Sequence, residues 1–169
     1  MAWIFRDRRK RDTYWLDFGG TTFVHRWSQQ GTHEFTPQDD ANLAAWSDML
    51  TINVHDQVRD SDGLDRLADA LIRNYETHGH LMAVLPENDA IHFVAAALAG
   101  PHTFELAFSR LDLFEGRGVV VVYGKCFRGP DALKHMQPWL DANASTMEKN
   151  LLEWDGMPPL AELRALESR

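Results

Sequence analysis

The sequence predicts an α/β fold of the α+β kind, a mainly antiparallel sheet flanked by two amphipathic helices. Three observations carry this. Between Ala90 and Phe127, Ile91 and Phe93 alternate with His92, and Phe104, Leu106 and Phe108 alternate with Glu105 and Ala107, the period-two pattern of half-buried strands. Within that run, Val119 to Val122 is a β-branched block suited to a strand covered on both faces. On either side of it, Leu64, Leu67, Ala68, Leu71, Ile72 and Tyr75, and then Trp139, Leu140, Ala144, Met147, Leu151 and Trp154, recur at helical spacing.

Taken in order, Tyr14 to Phe18 and Thr21 to Trp27 flank Gly19-Gly20, a dipeptide that tolerates the positive φ of a tight hairpin turn. Ser28 to His33 is expected to be a loop or second turn, and Glu34 to Thr36 a strand ended by Pro37. Asp39-Asp40 is expected to cap a short helix carrying Leu43, Ala44 and Trp46. Met49 to Val58 alternates as a strand, Ser61 or Asp62 is expected to cap the helix through Tyr75, and Gly79 to stop it. Leu81 to Leu85 reads as a short strand ended by Pro86. The meander turns at Gly100-Pro101 and at Glu115 to Gly118, and its apolar phase shift between Phe108 and Leu111 predicts a bulge near Ser109-Arg110. Pro138 is expected to start a fresh helix, and Pro159 to Leu166 to form a short terminal one.

With 169 residues and 44% hydrophobic composition, the chain has enough core for one domain at 13–169 behind a basic tail at 1–12. A single cysteine, Cys126, excludes an intrachain disulfide framework. No apolar stretch reaches the roughly 18 residues of a membrane span, and no uninterrupted apolar signal core follows the basic start, so a cytoplasmic location is expected. The net charge of −8 conceals an asymmetry. Arg6, Arg8, Arg9, Lys10 and Arg11 crowd the start, and the 12 basic and 24 acidic residues from Asp12 onward leave the body at −12. Such a body repels nucleic acid and anionic membranes and attracts a basic protein or a cation.

The chemistry-bearing residues do not assemble into a recognised motif. His78-Gly79-His80, with His55 or His92 as third ligand, is the tightest histidine grouping, but it lacks the spacing of a metal motif. Asp60-Ser61-Asp62-Gly63 has Val58 where a calcium loop needs its first carboxylate, so a helix cap explains it better. Lys125 and Arg128 would lower the thiol pKa of Cys126, yet no base is adjacent in sequence and alternation makes the cysteine a small apolar strand residue. No nucleophile elbow, P-loop or dinucleotide glycine pattern occurs, and no cofactor is implied.

Half of the 18 aromatic residues fall in the first 46 positions. Tyr14 and Trp15 must lie on opposite faces of their strand, so one ring faces the core and the other a helix, a partner or water. Trp15, Trp27, Phe35, Asp39, Asp40, Trp46 and the turn residue Arg117 are therefore the candidate partner-binding residues, of types enriched in interfaces or matched to a basic partner.

The order hairpin, strand, helix, short strand, three-stranded meander, helix over Tyr14 to Trp154 resembles the α/β/α sandwich of the Mog1/PsbP-like group. Phe35-Thr36-Pro37, Trp46 to Thr51 and Gly118 to Tyr123 are similar to segments of small bacterial proteins. The resemblance implies a non-catalytic binding module, and analogy of fold alone does not name its partner. The expectation drawn from it is an immunity protein that neutralises a secreted toxin by steric occlusion. The alternatives are a chaperone or adaptor of a secretion-system effector, a small metal-dependent hydrolase using the histidines, or a small-ligand carrier.

Overall fold

The computed structural model describes residues 9–10, 13–87 and 90–167. Its strands are β1 (Arg9–Lys10), β2 (Thr13–Phe18), β3 (Thr21–Gln29), β4 (Thr32–Pro37), β5 (Asp48–His55), β6 (Gly79–Glu87), β7 (Ala90–Gly100), β8 (Thr103–Phe114) and β9 (Arg117–Arg128). The helices are α1 (Ser61–His78), α2 (Ala132–Leu152) and α3 (Leu160–Leu166), so among the described residues three helices, not two, complete the α+β fold. All strands join one antiparallel sheet in the order β1-β2-β3-β4-β5-β9-β8-β7-β6. Two meanders, β2 to β5 and β6 to β9, thus meet along the β5–β9 pair. Of the basic tail, only Arg9–Lys10 lies among the described residues, paired with Thr13 and Tyr14; the rest of 1–12 lies outside them.

Helices cover both faces. Val119 and Val121 join Leu50, Ile52, Phe108 and Tyr123 in a core closed by Met136, Leu140 and Leu151 of α2 and by Leu160, Leu163 and Leu166 of α3. Val120 joins Phe93, Ala95 and Leu111 in a smaller core closed by Leu64 and Ala68 of α1. The valine block is therefore buried on both faces, as its composition predicts. Two covered faces also explain why the predicted bulge is absent. Phe108 and Leu111 feed opposite cores, and the β8–β9 register runs unbroken through Ser109 and Arg110. The register shifts lie instead at His25/Trp27, Leu81/Ala83 and Leu98/Gly100.

Other local expectations are refined. Gly19 and Gly20, with φ of 56° and 81°, form the β2–β3 turn. Asp60, not Ser61 or Asp62, caps α1, its side chain accepting from the Gly63 N–H at 2.8 Å. Pro138 starts no new helix and sits inside a continuous α2. Both Pro138 and Lys134 are exposed, so the Lys134 carbonyl that proline leaves without its helical donor belongs to the solvent-facing side of α2. The short helix expected after Asp39-Asp40 is a series of turns, because Asp40 accepts from the backbone N–H of Ser47 at 2.7 Å and Asn42 from that of Ala44 at 3.0 Å. No helix among the described residues is long and apolar enough to cross a membrane.

Candidate functional site

Helix α1 lies mainly against β6, β7 and β8. The uncovered half of that sheet face is where a hollow forms. One cross-strand row reads Met49, Gly124, Ala107, Ala95; Ala95 is buried under α1, and Gly124 and Ala107, with Ala97 of the next row, leave the floor low. A neighbouring row brings Cys126, Glu105 and Ala97 together, and a further one Glu34, Thr51 and Val122. Tyr75 of α1 forms one wall, its ring edge-on to Phe93 with centroids 5.6 Å apart. Trp46, from the loop at 38–47, forms the other. The result is a half-open groove of about 340 Å³, at the small end of ligand-sized clefts.

The Trp46 wall is fixed from several sides. A Cβ at Gly124 would lie 3.1 Å from the ring, so glycine is what lets the indole approach the sheet. Arg128 lies over the ring, its guanidinium carbon 5.8 Å from the centre, and donates to the Trp46 carbonyl. The Cys126 N–H donates to Ser47 O at 2.9 Å, and Arg26 bridges Thr36 Oγ1 and Pro37 O, each at 2.9 Å.

The groove's electrostatics follow from burial. Desolvation raises the carboxyl pKa of Glu34. Desolvation raises that of Glu105 too, partly offset by the Arg128 charge. Neither carboxylate accepts a hydrogen bond or forms a salt bridge among the described residues, and Arg128 is the cation that acts on Glu105. Burial, reinforced by Glu105, lifts the Tyr75 phenol. Burial also raises the Cys126 thiol; Arg128 and Lys125 pull it down, and Glu105 pushes it up. The net effect is upward, so the basic neighbours do not make this cysteine a thiolate.

A second polar cluster sits at the β3–β4 hairpin. His25 Nε2 lies 2.6 Å and His33 Nδ1 2.7 Å from the Ser28 hydroxyl. One hydroxyl proton serves only one ring, so Ser28 donates to one imidazole and accepts from the N–H of the other. Of the loop or second turn expected at Ser28 to His33, the structure has the turn, confined to Gln30-Gly31, so that β3 and β4 set Ser28 directly opposite His33. Reading Gln30-Gly31 as a two-residue turn would have found the pairing.

His33 is 1% exposed, and burial lowers its pKa, opposed by Glu167 and reinforced by His25. The unfolded chain takes this proton near the ordinary value of about 6.5 and the folded one only at lower pH. The stability that neutral His33 contributes is thus complete above that value and is lost as pH falls below it. His55, also lowered by burial, acts with the same sign. Glu34 and Glu105 act with the opposite sign, closer to the carboxylate range. Between pH values just above and just below 6, the thermal midpoint of the wild type should fall further than that of His33→Asn, which keeps a polar atom beside Ser28. Equal falls would show that His33 does not titrate.

The structure disperses the sequence-predicted partner residues. Trp46, Asp39 and Asp40 lie at the end of the sheet where β9 finishes, whereas Arg117 starts β9 and pairs with Asp56 at 3.5 Å. Trp27, 40% exposed, stands past the β3 bulge toward that second end. Trp15 is half-buried on the face opposite Tyr14. Phe35 is fully buried in the α2-side core and presents no surface. Its inward position follows from strand alternation, which turns Glu34 into the groove instead. Only Trp46 lines the groove, and sequence reasoning missed Glu34, Tyr75 and Glu105. His55, His78, His80 and His92 are dispersed over β5, the end of α1, β6 and β7. Among the described residues no three of His, Cys, Asp and Glu come close enough to hold a metal ion. No protein-family model matches the chain, and no curated protein matches it.

Proposed function

We propose that this protein is a non-catalytic protein-binding module of the immunity-protein kind, occupying a secreted toxin in the manner that the resemblance to Mog1/PsbP-like domains suggests. The observation that carries the reading is the groove beside α1, which has aromatic walls, a small-residue floor and two half-buried carboxylates, Glu34 and Glu105, neither held in a salt bridge among the described residues. A body at −12 reinforces it by favouring a basic partner. The test is affinity purification from the native host, followed by growth rescue. A stoichiometric partner whose lethality the wild type suppresses is expected, with capture and rescue both lost in Gly124→Leu, whose side chain fills the floor and displaces Trp46. Failure to retain any partner, or full rescue by Gly124→Leu, overturns the reading.

The effector chaperone or adaptor is a second reading, favoured by a different feature. Met82 and Val84 on edge strand β6 and Leu98 on neighbouring β7 are 41%, 39% and 63% exposed, and an open edge with apolar side chains suits strand addition by an extended segment. Under that reading, loss of this protein lowers secretion of the partner without releasing toxicity.

A further inference from the structure

We infer that two copies of this chain form a dimer, joined edge to edge by antiparallel pairing of β6 with β6 of the second copy. The inference goes beyond the protein-binding reading and does not depend on it. The sheet has two edges, and β6 is the one fit to meet its own copy. It pairs with β7 on one side, and among the described residues nothing pairs with the other. The shift at Leu81/Ala83 also leaves Met82 without a register partner on β7. Gly79 to Val84 carries no lysine, arginine, aspartate or glutamate, although charged side chains are what usually guard an open edge. Met82 and Val84, alternate residues of that run, are 41% and 39% exposed.

Charge selects a second copy as the occupant. Two bodies at −12 repel each other, so a contact between copies must fall where neither presents charge, and the β6 run is such a place. A basic partner drawn by the acidic body would find no carboxylate on that run to meet. The opposite edge begins with Arg9–Lys10 of β1, and pairing it with itself would set like charges close together. Symmetry then fixes the register. A twofold axis through Ala83 sets Met82 of each copy opposite Val84 of the other, so that all four side chains meet in cross-strand pairs. The assembly closes at two copies. The edges left outside are the basic ones, and the uncharged edge is used up without becoming a template for a fibre.

Sedimentation equilibrium of the full chain, from about 1 to about 100 μM, is expected to show a concentration-dependent dimer. Val84→Lys should weaken association by about tenfold or more, because each lysine puts a charge into a pair that was apolar. Far-UV circular dichroism is the folding control, and if Val84→Lys does not fold, Met82→Lys carries the same comparison. Register is read by mixing Met82→Cys with Val84→Cys under oxidising conditions. Disulfide-linked mixed dimers are expected in excess over either variant linked to itself, and the native Cys126 is buried out of reach. A wild type that stays monomeric throughout, equal dimerisation by the lysine variants, or no excess of the mixed cross-link overturns the inference. A monomer that instead takes up a stoichiometric foreign chain, lost in Val84→Lys, gives the edge to that chain and overturns it too. Partner capture separates the two ideas. A dimer that captures no partner in the host supports the edge pairing and overturns the protein-binding reading, whereas a monomer that still captures one does the reverse.

Discussion

Replacing Arg110 with methionine is expected to lower stability by about 3–5 kcal/mol, the range seen when one partner of a buried charged network is removed. Arg110 is 8% exposed on β8 and reaches the end of α2, where its Nη1 donates to the carbonyls of Leu151 at 2.7 Å and Trp154 at 3.0 Å. The last carbonyls of a helix have no partner within it, and positive charge is favourable there. A sheet arginine therefore supplies from below what α2 lacks at its own terminus. Its Nε lies 3.2 Å from the Asp112 carboxylate without a well-aligned hydrogen bond, so that contact is an ion pair by proximity. Burial raises the Asp112 pKa and Arg110 lowers it; without the arginine, Asp112 is left costlier to ionise. Methionine replaces the volume but none of the donors, stranding buried acceptors at about 1–3 kcal/mol each. Urea denaturation should show a lower midpoint with an unchanged slope. A loss below about 1 kcal/mol, the net value of an ordinary hydrogen bond, would show that water replaces the guanidinium.

Arg110 also illustrates where sequence reading stops. Elements set by neighbouring residues were legible: the Gly19-Gly20 hairpin, the apolar stripe of α1, and the valine block that serves two cores. Local signals misled where a distant group satisfied the backbone differently. Asp40 turns back to Ser47 and Asp48 instead of opening a helix, and exposure of Lys134 lets α2 continue through Pro138. The phase change at Ser109-Arg110 was correctly detected and wrongly attributed, because a second covered face accounts for it without a bulge. The groove was not legible at all. It depends on register among β4, β5, β9, β8 and β7 and on where α1 ends over them, and each is a long-range quantity. Trp46 was selected as a surface aromatic, but its slot exists only because Gly124, far along the chain, has no side chain.

Gly31→Ala should cost about 2–4 kcal/mol, whereas Gly20→Ala should cost about 1 kcal/mol, although both glycines have the same backbone φ of 81°. The shared conformation imposes the same left-handed penalty on a side chain at either position. The surroundings separate them. Nothing lies within 4 Å of a Cβ built at Gly20, but one at Gly31 would fall 2.5 Å from the Val54 carbonyl oxygen. That neighbour is backbone and cannot rotate away. Gly31 O accepts from the Val54 N–H at 2.8 Å, and Gly31 N–H donates to Glu167 just beyond α3. Relieving the clash therefore moves the β3–β4 turn away from β5 and from the end of α3 together. Because the same turn sets Ser28 opposite His33, the displacement also opens the His25–Ser28–His33 cluster. Chemical denaturation of the two variants isolates the steric part as their difference. In Gly31→Ala the difference between its thermal midpoints above and below pH 6 should shrink as His33 gains access to water. Equal destabilisation by the two substitutions would mean that the β3–β4 turn yields freely and that α3 does not hold it against β5.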